Sequence, residues 1–261
     1  MTKKNIIILI IALVLPIIII ILSVIINKHK HRYRGKRINR IEHYQKPDPK
    51  QCVHPDGIDL SHHNIAYDWG KVDAKFIYVR ATMGSNIKDK RYDVHRKAAL
   101  RHKIPMGAYH FLTAKTSAKI QFDNFKEVVS ASHIQLRPML DVEETKYWSA
   151  PSKFSDEDAN DLIRKWCDLC KETYGIAPII YTTEKLYQRF KLHKGFDDCI
   201  WWVANYNNIK DYEKKCKIPY TIHQYSDNNY VEGFYGKIDC NRFRTGKSIN
   251  DLKNKRYEAI N

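Results

Sequence analysis

Pro138-Met-Leu-Asp-Val-Glu143 is a short apolar run that ends in two carboxylates set two residues apart. Aliphatic residues in such a run read as a buried strand, whose alternation sends Asp141 and Glu143 to one face. The pattern recurs in Gly57-Ile-Asp-Leu-Ser61, which carries Asp59, and in Lys237-Ile-Asp-Cys-Asn241, which carries Asp239. A carboxylate after β-branched and aliphatic residues sits where a strand emerges from its sheet. In a barrel of parallel strands that end is the chemical face. Two carboxylates around one bond are also the minimum equipment for cleaving a glycosidic linkage.

Working outward, eight strand candidates follow one another: 57–61, 76–82, 106–112, 137–143, 178–183, 199–206, 220–226 and 236–243. Helix-like segments at 89–103, 116–131, 155–174 and, shorter, 184–192 separate the earlier ones. Ser155 followed by Asp156, Glu157 and Asp158 starts the third helix, since a hydroxyl caps free amides and acids complement the positive helix end. Leu162, Ile163, Trp166, Leu169 and Cys170 give that helix one apolar face, and Gly175 suits the reversal after it. Strand-then-helix repetition implies parallel strands with crossovers. The expected fold class is α/β, an irregular TIM-like (β/α) barrel of eight strands whose helices dwindle toward the C-terminus.

The first fifty of the 261 residues do not read as part of that barrel. Ile6–Ile26 is an uncharged run interrupted only by Pro16 and Ser23, long enough to cross a hydrocarbon core of roughly 30 Å. A cleaved signal peptide is the alternative, but no small-x-small site follows the run. The expected organisation is a transmembrane signal anchor at 1–27, a basic stalk at 28–52 and a catalytic barrel at 53–261. Residues 1–50 hold 11 Lys/Arg against 2 Asp/Glu, so most of the formal +16 charge lies outside the barrel. That excess suits anionic lipid or cell-wall polymer. No nucleic-acid recognition motif accompanies it. Seven Lys/Arg between Lys28 and Arg40 outnumber Lys3 and Lys4, a pattern that favours a cytoplasmic barrel. Access to a cell wall demands an exported one, periplasmic or at the cell surface, and export is the expectation adopted.

Six cysteines, Cys52, Cys167, Cys170, Cys199, Cys216 and Cys240, permit buried thiols or isolated bridges such as Cys199 with Cys216. Cys167 and Cys170 lack the second pair that a zinc site needs. His110, His223 and the His62-His63 pair match no standard ligand spacing, and no Gly-x-Ser-x-Gly elbow or phosphate-cradling glycine loop occurs. The expectation is no metal and no cofactor. Carboxylates remain as the candidate chemistry. Asp141 and Glu143 on one face crowd each other, which raises the pKa of one and equips it as a general acid. Aromatics gather at the same strand ends: Tyr109 to Phe111, Tyr181, Trp201, Trp202, Tyr206 and Tyr225. They would stack on sugar faces or fill the barrel.

Eight stretches together resemble the glycoside hydrolase family 25 lysozymes, the Chalaropsis-type N-acetylmuramidases. These are Gly57–Ser61, Phe76–Gly84, Gly107–Phe111, Pro138–Glu143, Pro178–Tyr181, Trp202–Tyr206, Gln224–Ser226 and Ile238–Asn241, in family order across about 56–244. The resemblance implies hydrolysis of the β-1,4 bond between N-acetylmuramic acid and N-acetylglucosamine in peptidoglycan glycan strands; a monomeric catalytic domain is a separate expectation. It implies that Glu143 is the general acid, with Asp141 its partner and Asp59 and Asp239 lining the groove. Tyr109, Tyr181, Trp202 and Gln224 fall on substrate-contacting positions. Arg80, Met83 and His223 stand where many members carry Lys, Glu and Trp. Water activation by a carboxylate with inversion, and attack by the substrate's acetamido group with retention, are both open. So is a catalytically silent wall-binding module.

Overall fold

The computed structural model describes residues 45–129, 135–145 and 154–254, together with Ser23. The expected membrane segment at 1–27, Ser23 aside, and the stalk as far as residue 44 lie outside the described residues. Among the described residues no helix is long and apolar enough to cross a membrane. The C-terminal unit begins at Lys46. Its first turn, Pro49–Gln51, is capped by Asp48, whose carboxylate accepts from the Lys50 amide at 3.0 Å. The Val53 amide then donates to the Tyr230 carbonyl at 2.9 Å, so the chain joins the folded unit a few residues before 53.

The strands, in chain order, are β1 (Gly57–Leu60), β2 (Ile65–Ala66), β3 (Phe76–Met83), β4 (Ile87–Lys88), β5 (Met106–Phe111) and β6 (Met139–Asp141). They continue with β7 (Ile179–Thr183), β8 (Ile200–Ala204), β9 (Tyr220–Asn229), β10 (Phe234–Tyr235) and β11 (Ile238–Phe243). Eight of them close a barrel in the order β1, β3, β5, β6, β7, β8, β9, β11, with β11 paired back to β1. All eight predicted strand positions are occupied. β1 through β9 pair in parallel around the ring, while β11 runs antiparallel to both β9 and β1. Repeated parallel crossovers do not extend to this last strand, because only Tyr230–Lys237 separates β9 from β11. So short a link returns antiparallel, whereas a parallel return needs a crossover of a dozen or more residues.

Helices cover the outside unevenly. α1 (Tyr92–Arg101), α2 (Ala118–Val129) and α3 (Asp156–Tyr174) are long, whereas α4 (Glu184–Arg189), α5 (Tyr212–Lys215) and α6 (Ile249–Leu252) span six residues or fewer. α3 starts as its sequence implies: the Ser155 hydroxyl accepts from the Asp158 amide at 3.0 Å, and the Asp158 carboxylate accepts from the Ser155 amide at 2.9 Å. Gly175 closes it in the left-handed region at φ 70°. Its apolar face buries Trp166, which packs on Phe122, Phe125 and His110.

Alternation divides each barrel strand between two cores. Ile58, Val79, Leu140, Ile180 and Val203 face the helices. Phe76, Tyr78, Tyr109, Met139, Tyr181 and Trp202 fill the lumen. Two glycines make room for the large rings. A Cβ on Gly57 would come within 2.2 Å of the Phe76 ring, and one on Gly107 within 2.2 Å of Tyr78. Tyr78 cannot swing away, since it is fully buried and its hydroxyl donates to the Arg137 carbonyl at 3.0 Å. Gly107→Ala therefore overpacks the lumen and should cost about 1–3 kcal/mol, read as a lower midpoint in urea unfolding.

Candidate active site

Inward-facing residues at the C-terminal ends of the parallel strands build a cluster of carboxylates. Asp59 on β1 stands opposite Asp239 on β11 in strict cross-strand register. Because β11 runs backward, its beginning, where Asp239 lies, reaches the same barrel mouth as the ends of the other strands. The two side chains are hydrogen-bonded to each other, so one of the pair carries a proton. Asp59 Oδ2 also accepts from Gln224 Nε2 and Asn241 Nδ2, each at 2.8 Å. Burial pushes Asp59 up to about 6 against the pull of these donors. Asp239 is pushed up to about 9, by burial first and then by the Asp59 charge and hydrogen bond, with Asp227 and Glu143 adding to it. Asp239 thus holds the shared proton and Asp59 is the member that ionises.

Asp141 closes β6, which ends two residues earlier than the predicted strand. The ladder nevertheless carries on: the Val142 amide donates to the Tyr181 carbonyl at 2.9 Å. Val142 packs into the helix-side core. Asp141 and Glu143 consequently share the lumen side, Asp141 buried and Glu143 half-buried at the mouth. Burial raises Asp141 well above the usual carboxylate range, and the charges of Glu143 and Asp59 raise it further, while Arg80 pulls it down. Glu143 is raised by burial and then by Asp59, again opposed by Arg80. The expected crowding therefore perturbs both carboxyls, with desolvation as its leading cause. Asp141 Oδ1 is buried and has no hydrogen-bond partner among the described residues, a condition that calls for an explanation, a catalytic role being one.

Two relays converge on Asp59. In the first, Tyr181 donates its hydroxyl to Gln224 Oε1 at 2.8 Å, Tyr206 reaches the same oxygen, and Gln224 then donates to Asp59. In the second, Trp202 Nε1 donates to Asn241 Oδ1 at 2.9 Å, and Asn241 donates to Asp59. Both amides are locked in one orientation by these contacts. Trp202 is fully buried between Tyr78 and Tyr181, so it presents no surface to a ligand. It supports the floor of the site, unlike the substrate-contacting position that the resemblance implies, because alternation turns it into the lumen while Trp201 packs under α4 against Tyr187. Tyr109 lies in the lumen within the field of Asp59 and Asp141, and burial holds its hydroxyl protonated.

Glu143 also lines an open cleft of about 440 Å3 with Tyr181, Lys185, Asn205, Tyr206 and Asn207. Tyr206 is the most exposed aromatic ring here, at 48%. The opposite flank carries Arg80, whose Nε donates to Asp89 Oδ2 at 3.0 Å and whose Nη2 contacts His62 Nδ1. Asp89 accepts from the backbone amides of His62 at 3.0 Å and Arg91 at 2.9 Å, tying the loop after β1 to the start of α1. The Asp89 side chain is 1% exposed. Asp89→Ala strands a guanidinium in this pocket and should cost about 3–5 kcal/mol, measured by denaturant unfolding. Sequence reasoning passed over Asp89, Asn241 and Asp227. Asn241 was within reach of it, since it lies two residues from Asp239 and so on the same face. His223, by contrast, faces away from the lumen, with Nε2 donating to the Asn205 carbonyl at 2.9 Å.

A closed β/α barrel with acids gathered at one mouth, some kept protonated by burial and others ionised, defines a carboxylate-dependent glycoside hydrolase. The glycosyl hydrolases family 25 model matches residues 58–234, and the chain belongs to that family. The uncharacterized protein YegX of Escherichia coli (strain K12) is 27% identical over 198 residues, covering 72% of this chain and 68% of its own. An autolytic lysozyme of Clostridium acetobutylicum is 26% identical over 195 residues, covering 73% of this chain and 56% of its own. Among solved structures, the bacterial lysozyme from Streptomyces coelicolor superposes with a TM-score of 0.64 at 25% identity, covering 76% of this chain and 96% of that one.

Proposed function

We propose that this enzyme is a lysozyme-type muramidase that hydrolyses the β-1,4 linkage between N-acetylmuramic acid and N-acetylglucosamine in peptidoglycan. The observation that carries the reading is the convergence of Asp59, Asp141, Glu143 and Asp239 on one barrel mouth with every one of their pKa values raised. Glu143, half-buried beside the cleft, keeps its proton to higher pH than a free glutamate and delivers it to the glycosidic oxygen. Positive charge then builds on the sugar ring. Asp59, fixed by two amide donors, stabilises it electrostatically. Similarity to proteins described as lysozymes supports the same substrate.

Digestion of purified peptidoglycan tests this directly. Mass spectrometry should find muramic acid at the new reducing ends. Glucosamine there would point to another amino-sugar specificity, and binding without release of reducing sugar would identify a catalytically silent wall-binding module.

Asp141 orients the acetamido group of the sugar being cleaved, through the Oδ1 that no donor among the described residues reaches. The acetamido oxygen then attacks the anomeric carbon, and the configuration is retained. Proton NMR of the fresh product distinguishes the routes: a β-anomer formed first supports this step, and an α-anomer supports direct attack by water.

The uncharged run at 6–26 supports a membrane anchor, and the substrate supports export of the barrel. External protease that removes the barrel from intact cells would agree with this. Full protection of the barrel would place it inside.

A further inference from the structure

All six cysteines are free thiols, so of the two alternatives the sequence leaves open, buried thiols or isolated bridges, the structure has the thiols. Cys199 faces the helix. It immediately precedes β8, at the barrel end opposite the carboxylates, and its thiol is hydrogen-bonded to that of Cys167 on the buried face of α3. Cys170, one turn further along, directs its sulfur to the Ile176 carbonyl at 3.8 Å. The two partners differ in access. Cys167 is 6% exposed, whereas Cys199 is half-buried and lines an open cleft of about 340 Å3 beside His193, Phe196 and Trp201.

We propose that Cys167 and Cys199 are an oxidative modification site, closing a disulfide between α3 and the start of β8 when the protein meets a small-molecule or protein disulfide. The accessible Cys199 thiol gives its proton to water and attacks one sulfur of that oxidant, whose S–S bond breaks and whose second sulfur leaves and takes up a proton. Cys167 then releases its proton to water and attacks the Cys199 sulfur of the mixed disulfide, expelling the other half of the oxidant as a thiol. Two protein thiols are oxidised and one disulfide is reduced to two thiols. Cys167 is the resolving partner because its sulfur already touches Cys199, while Cys170 is turned to a carbonyl. The bridge would staple the longest outer helix to the barrel wall and constrain the unfolded chain. It is independent of the sugar chemistry at the other end of the barrel.

The test treats the full-length chain, purified in detergent, with oxidised glutathione, then alkylates it and digests it without reduction. Mass spectrometry should show a peptide pair joined through Cys167 and Cys199. The unfolding temperature should rise by roughly 5–10 °C and fall back after dithiothreitol. Cys170→Ser should leave both results intact, and Cys199→Ser should remove both. Alkylation of all six thiols after oxidation would overturn the proposal. So would glutathione left on Cys199 without resolution, or a bridge from Cys199 to Cys170.

Discussion

Glu143→Gln is expected to lower the rate of peptidoglycan hydrolysis by about 10²–10⁴-fold, measured as reducing sugar released. The amide keeps the shape and polarity of the side chain and removes only the transferable proton. Glu143 is half-buried and no hydrogen bond to it from the described residues would be lost, so the unfolding midpoint should not fall. That separation makes the result interpretable: a variant that is inactive but equally stable has lost chemistry, not folding. Wild-type rates from Glu143→Gln would remove this residue from the role of acid. In the wild-type enzyme the rate should fall as pH rises through the elevated Glu143 pKa, because the deprotonated side chain has nothing to donate. It should also fall at low pH as Asp59, raised to about 6, becomes protonated and loses its stabilising charge.

Asp59→Asn should reduce the rate by about 10²–10³-fold, the scale of losing one preorganised electrostatic group. The substituted amide oxygen can still accept from Gln224 and Asn241, so the relays behind it survive. What disappears is the negative charge. Stability provides a second readout whose sign follows from proton binding. Asp59 is raised from 3.8 to about 6 and Asp239 from 3.8 to about 9, so between these limits the folded state holds more protons than the unfolded chain. Their contribution to stability is fully present below pH 4 and is lost as pH climbs through 6 and then 9. Calorimetry across that range should show this loss in the wild type and a shallower one in Asp59→Asn. A wild-type profile without this loss would show that the carboxyls are not held protonated in the fold.

The barrel was readable because each of its strands is a compact apolar run, and hydrophobic runs of that length bounded by turns have few other fates. Helix α3 was readable for local reasons, since Ser155, the acids after it and Gly175 act within a turn of their own positions. The direction of β11 was not, because pairing direction depends on where the chain returns in space. Trp202 and Gln224 were recognisable as part of the pattern, but their work was not. Whether an aromatic ring meets a sugar or supports the amide that holds a carboxylate is decided by its depth, and Trp202 lies at full depth. The same holds for Asp89, an unremarkable acid in a loop that becomes the buried partner of Arg80 only when β1, β3 and α1 meet.

By itself, then, the order of residues determined which segments form strands, which side chains share a face and which acids stand at strand ends. Those are consequences of short-range sterics and of a two-residue repeat. Tertiary structure alone decided that Asp59 and Asp239, 180 residues apart, share a proton, that a buried Asp141 oxygen has no partner among the described residues, and that two relays hold Asp59 still. Desolvation and Coulomb interaction depend on distance and depth in three dimensions, quantities that closure of the barrel creates.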